Sequence, residues 1–345
     1  MTNGTDSLPL VSVLIPMRNE ERHIEGCLRS LAAQDYPHER FEVLVLDGAS
    51  DDRSREQVEQ FMRGGGLNLR LIDNPERKTA HGLNLGLAQA SGEIIVRVDA
   101  HAAVWPDFLR ESVVALAESG ADAVGGPIES VGEGLVGEAI ALAMSSPFGV
   151  GNAHFRYSQE ARYTDTAAFA AYRRDVFARI GDFTEEIDCG EDDEFNYRLA
   201  DAGGRIYLTP KIGSVYYTRS SLPALSRQYL AYGRAKVKVL RRHPDQARLR
   251  QFAPASFVGT LAVLTALAPR SRPLRRALPL VAGLYACAAL AASLRVASRR
   301  GWRYAPVLPF AFACLHISYG VGFLQSLLIH RPRWTDSTRQ PEETT

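Results

Sequence analysis

Two side chains suited to metal binding follow a short apolar segment in the first third of the chain. Residues 93–98 (EIIVRV) are rich in β-branched side chains and predict a buried strand, which leads into Asp99 and His101. These two residues are two positions apart in an extended segment, so both can point the same way. A carboxylate and an imidazole so arranged can bind a divalent cation and leave positions open for phosphate oxygens. The alternative is a strand that simply ends in two polar residues.

Two earlier strands end close to residues of the same kind. Residues 11–16 (VSVLIP) predict a strand that stops at Pro16, and residues 42–47 (EVLVLD) predict a strand that ends at Asp47. In an open α/β sheet, ligands bind beyond the carboxyl ends of the strands. Right-handed crossovers bring those ends to one edge of the sheet. We therefore expect Pro16, Asp47 and Asp99 to converge in space.

A run of four acids lies further along the chain, at residues 191–194 (EDDE). The run follows Cys189 and Gly190 and opens a predicted helix. Because the helix dipole stabilises acids at a helix N-terminus, the run is also explained as a solvated cap without a catalytic role.

The elements that must position these residues alternate between strand and helix three times before the strand that leads to Asp99. This alternation predicts an α/β domain with a mostly parallel sheet flanked by helices. Residues 128–165 are glycine-rich and lack a clear period, so they predict a loop region that could shape an acceptor site. Neither a GxGxxG turn nor a GxxxxGKS loop follows the first strand, which disfavours dinucleotide-binding and P-loop enzymes.

The formal net charge of +1 conceals two segments of opposite charge. Residues 1–250 carry 29 Lys and Arg against 36 Asp and Glu, whereas residues 251–345 carry 11 against 3. Between Gln246 and Thr335 the chain has no acidic residue. Apolar runs separated by arginine clusters are typical of a membrane region with basic loops. They argue against a nucleic-acid-binding surface, so we expect no nucleic-acid partner.

Three apolar runs follow the acid-rich segment, at residues 252–268, 277–294 and 304–329. The third is long enough to span a bilayer, and the first two are near the lower limit of length. A basic amphipathic segment at residues 226–243 precedes them and predicts a helix that lies on an anionic membrane surface. Membrane lipids are therefore expected partners of this chain.

These patterns divide the chain into three predicted parts: a cytosolic catalytic domain at residues 1–222, an interfacial helix at 223–250, and a membrane region at 251–345 with two to three transmembrane helices and a short polar tail. Arginines occupy both loops between the apolar runs, so they do not fix how the chain threads the membrane. No cleavable signal is visible at the N-terminus, and the four cysteines form no CxxC pair. We expect a multi-pass protein of the cell membrane with its catalytic domain on the cytosolic side.

Five motifs, taken in their order and spacing, resemble the family 2 inverting glycosyltransferases with the nucleotide-sugar-binding GT-A fold. The motifs are residues 15–20 (IPMRNE), 47–51 (DGASD), 84–86 (NLG), 99–101 (DAH) and 191–192 (ED). This resemblance covers residues 11–210. The DAH form, the DT and YR pairs at residues 165–166 and 172–173, EDDEF at 191–195 and YGR at 232–234 are similar to the succinoglycan-type exopolysaccharide glycosyltransferases.

Carried over position by position, the resemblance implies three sets of site residues. The nucleoside would be bound by Pro16, Asn19, Glu20 and Asp47, the diphosphate and the metal by Asp99 and His101, and the acceptor proton by Asp192 as catalytic base. A divalent cation, Mg²⁺ or Mn²⁺, would stabilise the charge that develops on the leaving diphosphate. The family commonly has a second Asp where this chain has His101, and imidazole suits Mn²⁺ better than Mg²⁺.

The resemblance implies a membrane-associated hexosyltransferase. It would move a hexose from a nucleotide sugar, with a UDP-sugar favoured, to a lipid-linked saccharide acceptor in exopolysaccharide or cell-envelope glycan synthesis. Processive synthases of this family carry Gln-x-x-Arg-Trp, but residues 228–232 here read QYLAY, so we expect a single addition. Two alternatives stay open: transfer to polyprenyl phosphate itself, and a non-catalytic, membrane-tethered sugar-nucleotide-binding protein. The residues do not specify the donor sugar, the linkage or the acceptor.

Overall fold

The computed structural model describes residues 8–151, 154–156, 160–187 and 189–329. The strands of this part are β1 Val11–Met17, β2 Phe41–Asp47, β3 Leu69–Asp73, β4 Ile94–Arg97, β5 Ala102–Val104, β6 Ala123–Gly125, β7 Ile128–Val131, β8 Arg162–Thr164, β9 Ala171–Arg173, β10 Ile206–Leu208 and β11 Ser214–Tyr217. The predicted polar tail after residue 329 lies outside the described residues.

The helices divide between the sheet domain and the C-terminal region. Those of the sheet domain are α1 Ile24–Ala32, α2 Ser54–Gly64, α3 Thr79–Gln89, α4 Phe108–Ser119, α5 Gly134–Met144, α6 Pro147–Val150, α7 Arg174–Ile180 and α8 Glu191–Asp201. Those that follow are α9 Leu222–Arg242, α10 Leu249–Leu267, α11 Arg272–Arg300, α12 Leu308–Ala313 and α13 Tyr319–Ile329. A π-helical turn, Cys314–Ser318, joins α12 to α13.

In the described part of the chain, the main sheet has eight strands in the order β3-β2-β1-β4-β9-β6-β10-β8. Strands β3, β2, β1 and β4 pair in parallel, whereas β9 is antiparallel to both of its neighbours and β8 is antiparallel to β10. β1 and β2 are buried along nearly their whole length, as expected for strands covered by helices on both faces. This arrangement confirms the predicted mostly parallel α/β sheet.

The strand register brings the predicted strand ends together. Met17 pairs with Asp47, so β1 and β2 end at the same level. Leu14 pairs with Arg97 at the end of β4, which carries the following Asp99 to the same edge. The expected convergence is therefore present, and it follows from parallel pairing because parallel strands point their carboxyl ends in one direction.

Residues 128–165, which the sequence predicts as a loop region, are largely ordered into elements. β7 joins β11 and β5 in a second sheet, which has three strands in the described residues. Helix α5 buries Ala139, Ile140, Ala143 and Met144 against the core. The prediction of loops is wrong here because burial of this apolar stretch outweighs the low helix propensity of its glycines.

Among the described residues, three helical segments are long and apolar enough to cross a membrane: Leu249–Arg270, Arg272–Arg300 and Leu308–Ile329. Most of the residues in the apolar windows of the first two are not buried by the rest of the protein. Large apolar side chains such as Leu280 and Leu284 of α11 are therefore exposed. A face of this kind is typical of a surface that contacts lipid or another protein.

Helix α9, predicted as an interfacial helix, packs lengthwise against α13. A Cβ atom at Gly233 of α9 would overlap the carbonyl oxygen of Tyr319, and one at Gly322 of α13 would overlap the carbonyl oxygen of Leu230. Small residues let two helix backbones approach this closely. The apolar face of α9 is thus covered by protein, and contacts cross the predicted boundary between the interfacial helix and the membrane region.

We expect Gly233→Ala to destabilise the fold by about 1–3 kcal/mol, because the added methyl group overpacks the contact between α9 and α13. Gly283→Ala in α11 is the matched control, since a Cβ there meets no described atom within 4 Å. Alanine at position 283 is expected to be neutral or to stabilise by roughly 0.5–1 kcal/mol. Thermal unfolding of the full chain in lipid nanodiscs measures the stability of both variants. Equal unfolding midpoints for the two variants would contradict the close packing of α9 against α13.

Candidate active site

A cavity of about 1050 Å³ opens at the carboxyl edge of the main sheet. Five residues predicted for the site line it: Pro16, Glu20, Asp99, His101 and Asp192. They come from the end of β1, the segment after β4 and the first turn of α8. Residues far apart in sequence are therefore brought to one cavity by the strand ends and one helix N-terminus.

Asn19 and Asp47 are not among the lining residues of this cavity, and each has a partner that fixes the loops at the strand ends. The Asn19 amide donates a hydrogen bond to Asp51 at 2.7 Å, and Asn19 adopts a left-handed backbone with φ of 56°. Asp47 is buried, pairs with Arg55 at 3.2 Å and accepts a hydrogen bond from the Ser50 amide. Nucleoside binding by Asn19 and Asp47 stays a prediction.

His101 is oriented by Glu20, which the resemblance assigns to the nucleoside. The Nδ1 atom of His101 lies 2.9 Å from Glu20 Oε1, and its Nε2 atom lies 4.0 Å from Asp99 Oδ2. Burial lowers the pKa of His101, but the hydrogen bond to Glu20 and the charge of Asp99 outweigh burial and raise it. A carboxylate on Nδ1 leaves Nε2 available as a metal ligand on the side of Asp99.

The side chains of Asp99 and His101 fit a divalent cation that takes its remaining ligands from a bound nucleotide. No group of three or more His, Cys, Asp or Glu side chains suited to a metal occurs in the part of the chain that the structure describes. A cation held by one carboxylate and one imidazole keeps several positions open, which diphosphate oxygens can fill. These two side chains therefore match a metal site in which the bound nucleotide supplies the remaining ligands.

Arg97 is a central residue of the site that the motifs did not indicate. Its guanidinium lies 2.9 Å from Asp99 Oδ1, 2.9 Å from Glu191 Oε1 and 3.4 Å from Asp192 Oδ2. These carboxylates raise the pKa of Arg97 although burial opposes them. The signal in the sequence is a single charge in an apolar strand, two residues before Asp99 and so on the same face. Arg97 thus links the predicted metal ligand to the predicted base.

The four acids of residues 191–194 have different partners and do not form an interchangeable cap. Glu191 and Asp192 pair with Arg97, as described above. Asp193 pairs with Lys236 of α9, and Glu194 pairs with Arg198 and His243. The N-cap of α8 is Gly190, with φ of 84° and no side-chain cap hydrogen bond. The explanation of the run as a solvated cap is therefore not supported by these contacts.

Burial makes two of the carboxylates that line the cavity better proton acceptors. Burial raises the pKa of Asp192, although the charge of Arg97 opposes the shift. The same balance raises the pKa of Glu191 to about 7. A carboxylate with a raised pKa takes a proton more readily at neutral pH, as a general base must. Asp192 is the more open of the pair, with a side chain 31% exposed against 5% for Glu191.

The C-terminal helices also line the same cavity. Ala253 and Pro254 of α10, Leu315 in the π-helical turn and Tyr319 of α13 all line it. π-helical turns inside α-helices occur frequently at functional sites. The cavity therefore connects the strand-end carboxylates with helices that are long and apolar enough to cross a membrane.

Comparisons with known proteins agree with this arrangement. The profile described as Glycosyl transferase family 2 matches residues 12–181. Succinoglycan biosynthesis protein ExoA of Rhizobium meliloti is 30% identical over 328 residues, which cover 93% of this chain and 96% of that protein. Dolichyl N-acetyl-alpha-D-glucosaminyl phosphate 3-beta-D-2,3-diacetamido-2,3-dideoxy-beta-D-glucuronosyltransferase of Methanococcus voltae is 30% identical over 239 residues, covering 67% of this chain and 74% of that protein.

Among solved structures, the chain is similar to mannosyltransferase PcManGT from Pyrobaculum calidifontis, determined in complex with GDP-Man and Mn²⁺. The match has a TM-score of 0.59 and 24% sequence identity, and it covers 93% of this chain and 88% of that one. At this identity the likeness establishes a shared fold, a GT-A-like α/β domain followed by a helical C-terminal region.

Proposed function

Since the chain belongs to glycosyltransferase family 2 and is a hexosyltransferase, we propose that it moves a hexose from a nucleotide sugar to a lipid-linked glycan, with inversion at the anomeric carbon. A UDP-sugar is the favoured donor. The products are the extended lipid-linked glycan and a nucleoside diphosphate. The reaction belongs to exopolysaccharide or cell-envelope glycan synthesis, in keeping with the name of the Rhizobium meliloti relative.

The nucleotide occupies the strand-end side of the cavity in this proposal. Pro16 and the neighbouring Arg18 line that side together with Arg77 and Lys78, whose charges attract a diphosphate. Asp99 and His101 would hold a divalent cation there. When bound, the cation neutralises charge that develops on the leaving diphosphate. The presence of GDP-Man and Mn²⁺ in the complex of the structural neighbour is consistent with this assignment.

Asp192 removes the proton from the attacking hydroxyl of the acceptor. The new glycosidic bond forms from the face opposite the departing diphosphate, and the proton passes to the Asp192 carboxylate. Arg97 holds that carboxylate at 3.4 Å and, through its other contacts, keeps it beside the metal ligand Asp99. Glu191, with little exposure, compensates the buried charge of Arg97 rather than contacting substrate.

The observation that carries the proposal of a lipid-linked acceptor is the cavity itself. Its lining includes charged residues at the strand ends that suit a nucleotide, and residues of α10 and α13, which belong to the candidate membrane spans. An acceptor anchored in a bilayer can present its sugar at Asp192 without leaving the membrane. We propose a multi-pass protein of the cell membrane with its sheet domain on the cytosolic side, in contact with membrane lipids.

Membranes that contain the full chain test this function. They are incubated with a panel of radiolabelled UDP- and GDP-hexoses and with Mn²⁺ or Mg²⁺, and the lipids are then extracted. We expect label from one donor to enter the lipid extract and to be released by mild acid, as sugars linked through polyprenyl diphosphate are. Membranes with the Asp192→Asn variant are the control. Label that enters only water-soluble products would contradict a lipid-linked acceptor.

A further inference from the structure

A polar cluster in the cavity wall is not used by the mechanism above. It consists of Tyr216 on β11, Gln228 and Tyr232 on α9, and Arg156, and all four residues line the cavity. The Gln228 amide nitrogen lies 3.0 Å from the Tyr216 hydroxyl and 2.9 Å from the Tyr232 hydroxyl. The guanidinium carbon of Arg156 lies 5.7 Å from the centroid of the Tyr216 ring. We name these four residues the Tyr–Gln–Arg cluster.

The cluster adjoins the predicted catalytic residues. The ring of Tyr216 packs edge-on against His101, with centroids 5.1 Å apart. Burial raises the pKa of Tyr232 well above its ordinary value, and the nearby Tyr216 and Cys189 add to the shift. Tyr232 lines the same cavity as Cys189, which lies two residues before α8, the helix that carries Asp192. The cluster therefore flanks the region between metal and base, where an attacking hydroxyl must sit.

Two polar atoms of the cluster lack a hydrogen-bond partner in the part of the chain that the structure describes. The Nη1 atom of Arg156 and the Oε1 atom of Gln228 are covered by protein and have no hydrogen-bond partner within the described residues. An unsatisfied buried polar group costs roughly 1–3 kcal/mol, so such groups call for an explanation. One atom is a donor and the other is an acceptor. A ligand group that satisfies both must accept one hydrogen bond and donate another.

We propose that the Tyr–Gln–Arg cluster binds a hydroxyl group of the acceptor sugar, and that the enzyme therefore requires an acceptor lipid that already carries a sugar. A sugar hydroxyl accepts a hydrogen bond from Arg156 Nη1 and donates its own hydrogen to Gln228 Oε1. A phosphate group ionised at neutral pH only accepts, so a bare polyprenyl phosphate leaves Gln228 Oε1 unsatisfied. This inference rests on the proposed function and specifies the class of its acceptor.

Two lipid acceptors, a polyprenyl diphosphate that carries one hexose and a polyprenyl monophosphate, are compared as substrates of the full chain in lipid vesicles. A site built to bind a hydroxyl discriminates strongly against a ligand that lacks it. We therefore expect kcat/KM for the monophosphate to be about 10⁴-fold lower. Equal use of the two acceptors would overturn the inference. Transfer to neither acceptor would refute the proposed function, and this inference would fall with it.

Variants of the cluster test the contact itself. Gln228→Leu is expected to raise the acceptor KM by about 10-fold, the effect of one lost hydrogen bond, without changing the Kd for the nucleotide. Arg156→Leu is expected to act in the same direction. The acceptor KM of the double variant should rise by less than the product of the two single increases, because both residues bind the same hydroxyl group.

The matched control is Gln325→Leu on α13. Gln325 accepts a hydrogen bond from Arg234 at 2.7 Å and is not among the lining residues of the cavity. The acceptor KM of the Gln325→Leu variant should therefore match that of the wild type. Nucleotide binding by each variant confirms that the protein is folded. An unchanged acceptor KM in folded Gln228→Leu would overturn the inference while leaving the proposed function intact.

Discussion

Asp192→Asn is expected to lower the turnover number by about 10²–10⁴-fold, the loss typical of a missing general base. The amide keeps the size of the carboxylate but accepts a proton far more weakly. The fold should survive because Arg97 retains its contacts with Asp99 and Glu191. The Kd for the nucleotide should barely change, since the base contacts the acceptor. Steady-state transfer to a lipid acceptor and nucleotide titration by calorimetry measure both quantities.

The choice of control for this variant follows from the contacts of α8. Asp193→Asn is unsuitable, because it leaves the buried Lys236 unpaired and such a charge destabilises by about 3–5 kcal/mol. Asp201→Asn, at the other end of the same helix, alters an exposed carboxylate that pairs with His243 outside the cavity. Its turnover should equal that of the wild type. Equal turnover of Asp192→Asn and Asp201→Asn would remove the catalytic assignment of Asp192.

Asp99→Asn is expected to lower transfer by at least about 10²-fold, because the cation loses its charged protein ligand and the developing charge on the diphosphate is less well stabilised. The amide oxygen of asparagine still accepts a hydrogen bond from Arg97, so the sheet edge should stay intact. The variant should also lose the gain in nucleotide affinity that Mn²⁺ provides. Calorimetric titration of UDP or GDP with and without Mn²⁺ gives this second readout, which is independent of turnover.

Asp73→Asn is the matched control for the metal ligand. Asp73 lies at the carboxyl end of β3, on the same edge of the main sheet as Asp99, but its side chain is 76% exposed and pairs with Arg55. It is not among the lining residues of the cavity. Its metal dependence should match that of the wild type. Full transfer activity of Asp99→Asn, or of the wild type in the presence of a chelator, would contradict a metal at this position.

Much of the sheet domain could be predicted because its signals are local. Apolar runs of five to seven residues mark β1, β2 and β3, and a proline or acid at the carboxyl end of each run marks the edge where ligands bind. Residues such as Asp99 and His101 follow directly from that placement. Their roles in metal binding stay predictions, as does the role of Asp192, and the variants above test them.

The contacts of charged residues could not be predicted in the same way. Arg97 and Lys236 are ordinary cations in the sequence, and their importance arises from the carboxylates that folding brings to them. The four acids of α8 are adjacent in sequence and look equivalent. Helical geometry points them in different directions, so Asp193 pairs with Lys236 of α9 while Asp192 pairs with Arg97 of the sheet.

The sequence by itself determined the family, the α/β sheet, the order of the motifs and the presence of apolar C-terminal segments, because these depend on short-range patterns of residue type. The tertiary structure alone decided that α9 packs against α13 instead of remaining a separate surface helix. It also decided that α10 and α13 complete the cavity that holds Asp99, His101 and Asp192. Such contacts depend on side chains from distant segments meeting in one packed core, and no local pattern encodes that meeting.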